Sequence, residues 1–147
     1  MNLRLLSLEL ADDLAAAQAV ANTVGMPAQN FVAGDAAGHI GWTIAGPLPN
    51  RSAVPGATFP LRADEGALTF IGRRAPADYP RVVDPPAGQV WTANSRQLAG
   101  PSYATLGDGG ADLGARAQQI RDDLSALSTA PGGKTNEAAV YGISLDD

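Results

Sequence analysis

Apolar residues spaced three and four positions apart predict an amphipathic helix over residues 8–24. The apolar face recurs with the 3.6-residue period of an α-helix, and its members are Leu14, Ala17, Ala21 and Val24. Asp12 and Asp13 lie in the first turns, where carboxylates suit the positive end of the helix dipole. Gly25 follows the last periodic residue and is expected to end the helix.

Two short runs of alternating residues predict a β-hairpin with strands over Phe31–Gly34 and His39–Ala45. Asp35 opens the intervening segment and Gly38 closes it, which is the residue preference of a type I turn. Large apolar side chains alternate with small or polar ones in the second strand, so we expect one packed face and one half-polar face. The expected packed face consists of Ile40, Trp42 and Ile44, and the other of His39, Gly41 and Thr43.

The middle of the chain is dominated by turn residues. Residues 46–88 hold most of the eleven prolines, so we expect ordered coil there with short extended pieces such as residues 67–71. A second proline- and glycine-containing stretch begins at residue 128 and is expected to act as a linker. It leads to a short structured segment over residues 138–145.

Between these stretches the pattern predicts a strand, a loop and a helix. Residues 89–93 have the composition of a strand that runs into Asn94, and residues 98–111 read as a glycine-rich loop. Residues 111–127 predict a second helix. Its apolar side consists of Leu113, Ala117, Ile120, Leu124 and Leu127.

Composition and charge exclude several classes of partner and site. The chain has 147 residues, enough for one domain, and no apolar run approaches the ~20 residues of a membrane span. We therefore expect no membrane partner, and the net charge of −5 with a single lysine argues against nucleic acid, whose binding needs clustered Lys and Arg. The absence of cysteine and the presence of one histidine exclude disulfides, a cysteine nucleophile and a multi-histidine metal site within this sequence.

Short motifs taken alone do not indicate catalysis. Residues 133–135 resemble the end of a phosphate-binding loop, but the required upstream glycine is replaced by Ser128. Residues 107–110 lack the spacing of a nucleotide or calcium loop. His39 has no obvious carboxylate partner in the sequence, so a structural or surface role is favoured over that of a general base.

Three segments, in order along the chain, resemble the penicillin acylase family. The first reads PAQNFVAGDAAGHIGW over residues 27–42 and continues as GPLPNR over residues 46–51. The second reads GQVWTAN over residues 88–94. The third is a helix carrying Arg116, which lies 22 positions after Asn94, as in penicillin acylases.

This resemblance implies an α+β fold that is part of the αββα sandwich of an N-terminal-nucleophile hydrolase, with antiparallel strands, two flanking helices and long Pro/Gly-rich loops. In that family a precursor cleaves itself, and the exposed N-terminal serine uses its own α-amine as the base. The Ser-Asn start of the large subunit is not found here, and family members are several times longer. Residues 1–147 are therefore expected to form a single partial domain, an internal piece of the large subunit that is inactive by itself.

The resemblance also assigns roles to particular positions. Asn94 corresponds to the asparagine whose side-chain amide helps to form the oxyanion hole, and Arg116 to the arginine that orders the surrounding network. Gln29 corresponds, more weakly, to a residue lining the acyl pocket. Thr105 stands where a calcium-binding acid is expected, so we expect no metal and no other cofactor. The alternatives are a turn asparagine for Asn94 and an exposed helix arginine for Arg116.

The function implied is hydrolysis of the acyl amide bond of an N-acyl compound, such as a β-lactam side chain or an acyl-homoserine lactone. The partners expected are that small molecule and the remaining segments of the parent acylase, for which the family implies a periplasmic or secreted location. Two alternatives remain open at this stage: a non-catalytic fragment, and an unrelated small β-rich binding module.

Overall fold

The computed structural model describes residues 3–51, 70–107, 110–129 and 135–145. These residues form an α+β structure. It contains two pairs of antiparallel strands, and antiparallel strands were expected. The chain divides into two compact units, Met1–Val82 and Val83–Asp147. Within the described residues, no helix is long and apolar enough to cross a bilayer.

The predicted hairpin is confirmed. Strand β1 (Gln29–Gly34) pairs antiparallel with β2 (Ile40–Ala45), and β5 (Arg81–Val83) lies on the other side of β2. In the turn, the Gly38 N–H donates to the Asp35 carbonyl at 3.0 Å, and Gly38 has a φ of +92°. Glycine adopts this left-handed conformation without the steric penalty of a Cβ atom, which explains its place at the end of the turn.

The single helix predicted over residues 8–24 is wrong at its start and its end. A 3₁₀ helix covers Arg4–Leu10, and helix α1 covers only Leu14–Ala21. Asp13 separates them because it takes an extended conformation and caps α1, accepting a hydrogen bond from the Ala16 N–H at 2.7 Å. Asn22, not Gly25, is the C-cap residue.

Helix α1 packs on the face of β2 that the sequence predicted to be half-polar, so both faces of this strand are buried over most of its length. Polar residues tolerate this burial because they bond to one another. Asn22 Nδ2 donates to Thr43 Oγ1 at 3.1 Å and to the Ile44 carbonyl at 2.8 Å, and Thr43 Oγ1 donates to the Pro80 carbonyl at 2.9 Å. These bonds satisfy groups whose burial without a partner is costly.

A substitution at Gly41 tests how tightly α1 and β5 enclose β2. A Cβ atom there would lie 2.7 Å from the Val82 carbonyl oxygen, a backbone atom that cannot rotate away, and 2.7 Å from Gln18 Nε2. We expect Gly41→Ala to lower the free energy of unfolding by about 1–3 kcal/mol, the usual effect of overpacking. Gly34→Ala is the matched control, because its Cβ would be 3.4 Å from the nearest atom. Equal urea midpoints for the two variants would contradict this packing.

Asp35 joins the hairpin turn to the start of α1. Its carboxylate accepts hydrogen bonds from the backbone N–H groups of Leu14 at 3.2 Å, and of Ala37 and His39 at 3.0 Å each. Burial works against ionisation, but these bonds and the nearby His39 imidazole outweigh it and hold the pKa of Asp35 below its ordinary value of 3.8. The charged carboxylate therefore stabilises the folded unit.

This lowered pKa predicts an acid-dependent contribution to stability. A group whose pKa is lower in the folded state stabilises that state above its unfolded pKa, and the contribution is lost as the pH falls through the folded pKa. Asp35→Asn should therefore lower the melting temperature at pH 7, with the difference from the parent narrowing below about pH 4. Asp12→Asn, which removes the same charge from an exposed position, is the control. A deficit for Asp35→Asn that stayed constant from pH 7 to pH 2.5 would contradict the assignment.

The stretch predicted as coil over residues 46–88 contains short strands. Strand β3 (Pro49–Arg51) pairs antiparallel with β4 (Phe70–Arg73) through an irregular register at Asn50 and Arg51. Of the extended piece predicted at residues 67–71, residues 67–69 lie outside the described residues and the last two belong to β4. Tyr79 anchors the connection, since its hydroxyl donates to the Gly46 carbonyl at 2.9 Å and accepts from the Leu48 N–H at 2.8 Å.

The second unit contains three helices in its described residues: α2 (Gly100–Leu106), α3 (Ala115–Ser128) and α4 (Glu137–Ile143). The strand predicted over residues 89–93 is wrong, because no strand forms there. The loop predicted over residues 98–111 is also partly wrong, because it contains α2. Pro101 stands in the first turn of α2, where its missing N–H and fixed φ favour a helix start.

Helix α3 begins four residues later than predicted. Leu113 was expected on its buried side, but it precedes the helix and is 87% exposed. Within the helix, Ala117 is buried, and three further apolar residues of the predicted stripe are half-buried: Ile120, Leu124 and Leu127. Helix α4 matches the predicted terminal segment and is capped by the Asn136 side chain, which accepts from the Ala139 N–H at 2.9 Å.

Candidate active site

The backbone around Asn94 is held by two sets of hydrogen bonds within the second unit. The Asn94 carbonyl accepts from the Asp112 N–H at 2.8 Å, and Ser95 forms a parallel bridge with Asp112. Gln97 Nε2 donates to Ser95 Oγ at 3.2 Å and to the carbonyls of Ala93 and Ser95 at 3.5 Å each. The turn that carries Asn94 is thus closed by one side chain and tied to the residues that precede α3.

The Asn94 side chain is bound by Arg116, whose Nη2 donates to Asn94 Oδ1 at 2.5 Å. A guanidinium has only donors, so it binds the oxygen of the amide and not the nitrogen. The contact therefore determines which way the amide faces. Among the described residues none accepts a hydrogen bond from Asn94 Nδ2, and both of its N–H donors remain available for a ligand.

Arg116 occupies a position that helix stability alone would not favour. It is the second residue of α3, whose first turn has no acidic residue and whose N-cap, Gly114, makes no side-chain capping bond. A positive charge at a helix N-terminus opposes the helix dipole by about 0.3–1 kcal/mol. Local rules that are broken in this way are typical of functional positions.

The structure brings together two of the three residues assigned by resemblance. The Arg116 guanidinium reaches the Asn94 side chain, as the resemblance implies for an arginine that orders the network around it, and both residues are exposed. Gln29 begins strand β1 in the first unit and is exposed. The roles of all three residues in substrate binding or catalysis remain predictions.

Thr105 and His39 take part in local structure. Thr105 lies in α2, where its Oγ1 donates to the Pro101 carbonyl at 3.2 Å. His39 is exposed beside the hairpin turn, where its backbone carbonyl accepts from the Asp35 N–H at 3.0 Å. In the part of the chain that the structure describes, no three His, Cys, Asp or Glu side chains cluster as metal ligands would.

Several further residues that build this site were not predicted from the sequence. Asp112 and Gln97 fix the backbone on either side of Asn94, and Arg96 lies over the ring of Tyr103, with Cζ 5.1 Å from the ring centroid. The Asn-x-x-Gln spacing of residues 94–97 could have indicated a turn closed by a side chain, in place of the strand predicted up to residue 93. No sequence signal indicates the Arg96–Tyr103 pair, which depends on the placement of α2.

Comparison with known proteins identifies the family. The family model described as penicillin amidase matches residues 2–146. A curated relative, the penicillin acylase 2 proenzyme of Pseudomonas sp. (strain SE83), is 37% identical over 75 residues. That match covers 51% of this chain and 10% of the proenzyme, so the shared segment is a small part of the longer protein. The chain therefore belongs to the penicillin amidase family.

Proposed function

We propose that this chain is part of a penicillin-acylase-type amidohydrolase, with the αββα sandwich of the N-terminal-nucleophile hydrolases. Its substrate is an N-acyl compound, of the β-lactam side-chain or acyl-homoserine lactone type, and an N-terminal serine outside this chain attacks the acyl carbonyl. Family membership supports the amidohydrolase class. The single observation that carries the proposal is the hydrogen bond from Arg116 to Asn94 Oδ1. It leaves the two N–H donors of Asn94 Nδ2 facing away from Arg116.

The proposed chemistry places negative charge near Asn94. When the serine oxygen adds to the acyl carbonyl, the carbonyl oxygen becomes an oxyanion, and the Asn94 Nδ2 donates a hydrogen bond to it. A donor positioned in advance strengthens as charge develops, and one such donor contributes about 3–4 kcal/mol to the transition state. Arg116 does not touch the substrate in this proposal; it holds the amide so that the nitrogen, and not the oxygen, faces the reacting carbonyl.

Gln29 is proposed to line the acyl pocket. Its side chain is exposed at the start of β1. An amide at this position would make that side of the pocket more polar than an aliphatic residue would, and would favour an acyl group that can accept or donate a hydrogen bond.

The remaining segments of the parent acylase are the proposed macromolecular partner. The N-terminal 3₁₀ helix and the N-cap residue before it display leucines that are 50–82% exposed, which are Leu3, Leu5, Leu6 and Leu10. An exposed apolar cluster of this kind marks a surface that another part of a protein covers. Its position on a helix that contacts α1 is consistent with a segment enclosed within a larger sandwich.

Two measurements test the proposed function. The purified 147-residue chain should not hydrolyse a chromogenic phenylacetyl amide, because positioning without a nucleophile leaves little catalysis. A complete acylase that carries this segment should hydrolyse the same amide. The mass of its large subunit, measured by mass spectrometry, should equal the mass calculated for a chain whose first residue is serine. Turnover by the chain alone, or an unprocessed and inactive complete protein, would contradict the proposal; the second result would favour a non-catalytic relative.

A further inference from the structure

We propose that Arg96, held over the ring of Tyr103, is a subsite for a carboxylate on the amine portion of the substrate. This inference rests on the proposed function and deepens it, because it favours N-acyl compounds with an anionic leaving amine. Of the two substrate types left open, a β-lactam nucleus carries such a carboxylate and a homoserine lactone does not.

The geometry leaves the donors of Arg96 available. Its Cζ lies over the Tyr103 ring, 5.1 Å from the centroid, and the ring attracts the cation through its π face without accepting conventional hydrogen bonds. Tyr103 is half-buried in α2, so it provides a fixed support for an exposed guanidinium. The N–H groups of a guanidinium form a planar fork that matches a carboxylate in two parallel hydrogen bonds.

The charge of Arg96 is not neutralised by the described residues. None of them forms a salt bridge with it, whereas Arg121 is paired with Asp122 at 2.7 Å. Asp112 contacts the Asn94 turn through its backbone N–H, and its carboxylate accepts a hydrogen bond from the Leu113 N–H at 2.9 Å and forms no salt bridge with Arg96. In a chain with a net charge of −5, a cation at this turn that has no ion-pair partner among the described residues is a specific feature and not part of a general basic surface.

The position along the chain puts this cation beside the proposed reaction centre. Arg96 follows Asn94 by two residues, so their Cα atoms are within about 7 Å of each other. Gln97 closes the same turn by bonding to the carbonyls of Ala93 and Ser95, which fixes the backbone that carries both residues. A substrate whose acyl carbonyl reaches Asn94 would therefore extend a group attached near the scissile nitrogen into the range of the Arg96 side chain.

The test compares two substrates in a complete acylase that carries this segment: an N-phenylacetyl amino acid and its methyl ester. Arg96→Ala should raise the KM for the acid relative to the KM for the ester by about tenfold, with little change in the kcat ratio. Arg96→Lys should give a smaller rise, because it keeps the charge but loses the fork. Arg121→Ala is the matched control, since it removes the same charge from an exposed arginine outside the turn, and it should not change the ratio.

Several outcomes would overturn the subsite. An acid-to-ester KM ratio that is unchanged in Arg96→Ala, or that changes equally in Arg121→Ala, would do so. If Asn94→Ala loses activity while Arg96→Ala leaves the ratio unchanged, the subsite fails and the proposed function stands. If the parent enzyme hydrolyses neither substrate, both fail.

Discussion

Replacing Asn94 with alanine in a complete acylase that carries this segment is expected to lower kcat by about 10²–10³, with little change in KM. The physical reason is that, in the proposed mechanism, the Nδ2 donors face a position where negative charge develops only in the transition state. Because the Asn94 backbone is tied to Asp112 and closed by Gln97, the substitution removes the side-chain donor and leaves the turn in place. Steady-state kinetics with a chromogenic phenylacetyl amide provide the measurement.

The control for this prediction is Asn136→Ala. It removes an asparagine that caps α4, and it should leave kcat within about twofold of the parent because surface caps affect stability more than chemistry. Mass spectrometry of the large subunit separates slow chemistry from slow autoprocessing. An Asn94→Ala enzyme that is fully processed and retains more than half of the parent rate would show that Asn94 is a turn residue only.

Arg116→Lys is expected to lower activity nearly as much as Arg116→Ala, by about 10²-fold, because a misdirected amide loses most of the value of a positioned donor. Lysine keeps the positive charge but lacks the planar fork that binds one amide oxygen in a fixed direction. The same two substitutions at Arg121, which is exposed and paired with Asp122, should leave the rate of hydrolysis unchanged. Full activity in Arg116→Lys would reduce the role of Arg116 to its charge.

Stability provides an independent readout of the same substitution. Arg116 opposes the dipole of α3 and its side chain is exposed, so Arg116→Ala should leave the free energy of unfolding within about 0.5 kcal/mol of the parent. A loss of rate without a loss of stability would be the signature of a positioning residue. A large loss of stability would indicate that the arginine serves to hold α3 in place.

The parts of the fold that were predictable from sequence are those determined by neighbouring residues. The hairpin follows from Asp35 and Gly38, because the bonds that close the turn join Asp35 to Gly38 and His39 only a few residues away. The prediction of one helix over residues 8–24 was wrong because the spacing of apolar residues carries no information about helix caps. Asp13 caps α1 in an extended conformation, so the residues before it are not part of that helix. The buried polar pair of Asn22 and Thr43 depends on residues 21 positions apart, a tertiary contact that local pattern cannot indicate.

The candidate site shows the same division. The pairing of Asn94 with Arg116 was expected from resemblance to a family, and no rule of spacing or periodicity would have produced it. The strand predicted to carry Asn94 does not form; the residue lies in a side-chain-closed turn bridged to Asp112. The pairing of the two side chains could therefore be expected although the element predicted to lead into Asn94 was wrong, and the catalytic role of the pair stays a prediction.

The most direct test of the central claim is a double-mutant cycle on kcat/KM in the complete acylase, with Asn94→Ala, Arg116→Ala and the double variant. If Arg116 acts by orienting the Asn94 amide, as their hydrogen bond indicates, its removal should change the rate little once Asn94 is absent. The double variant should then be about as active as Asn94→Ala alone. Losses that multiply, so that the double variant shows the product of the two single effects, would contradict the claim that these residues act as one unit.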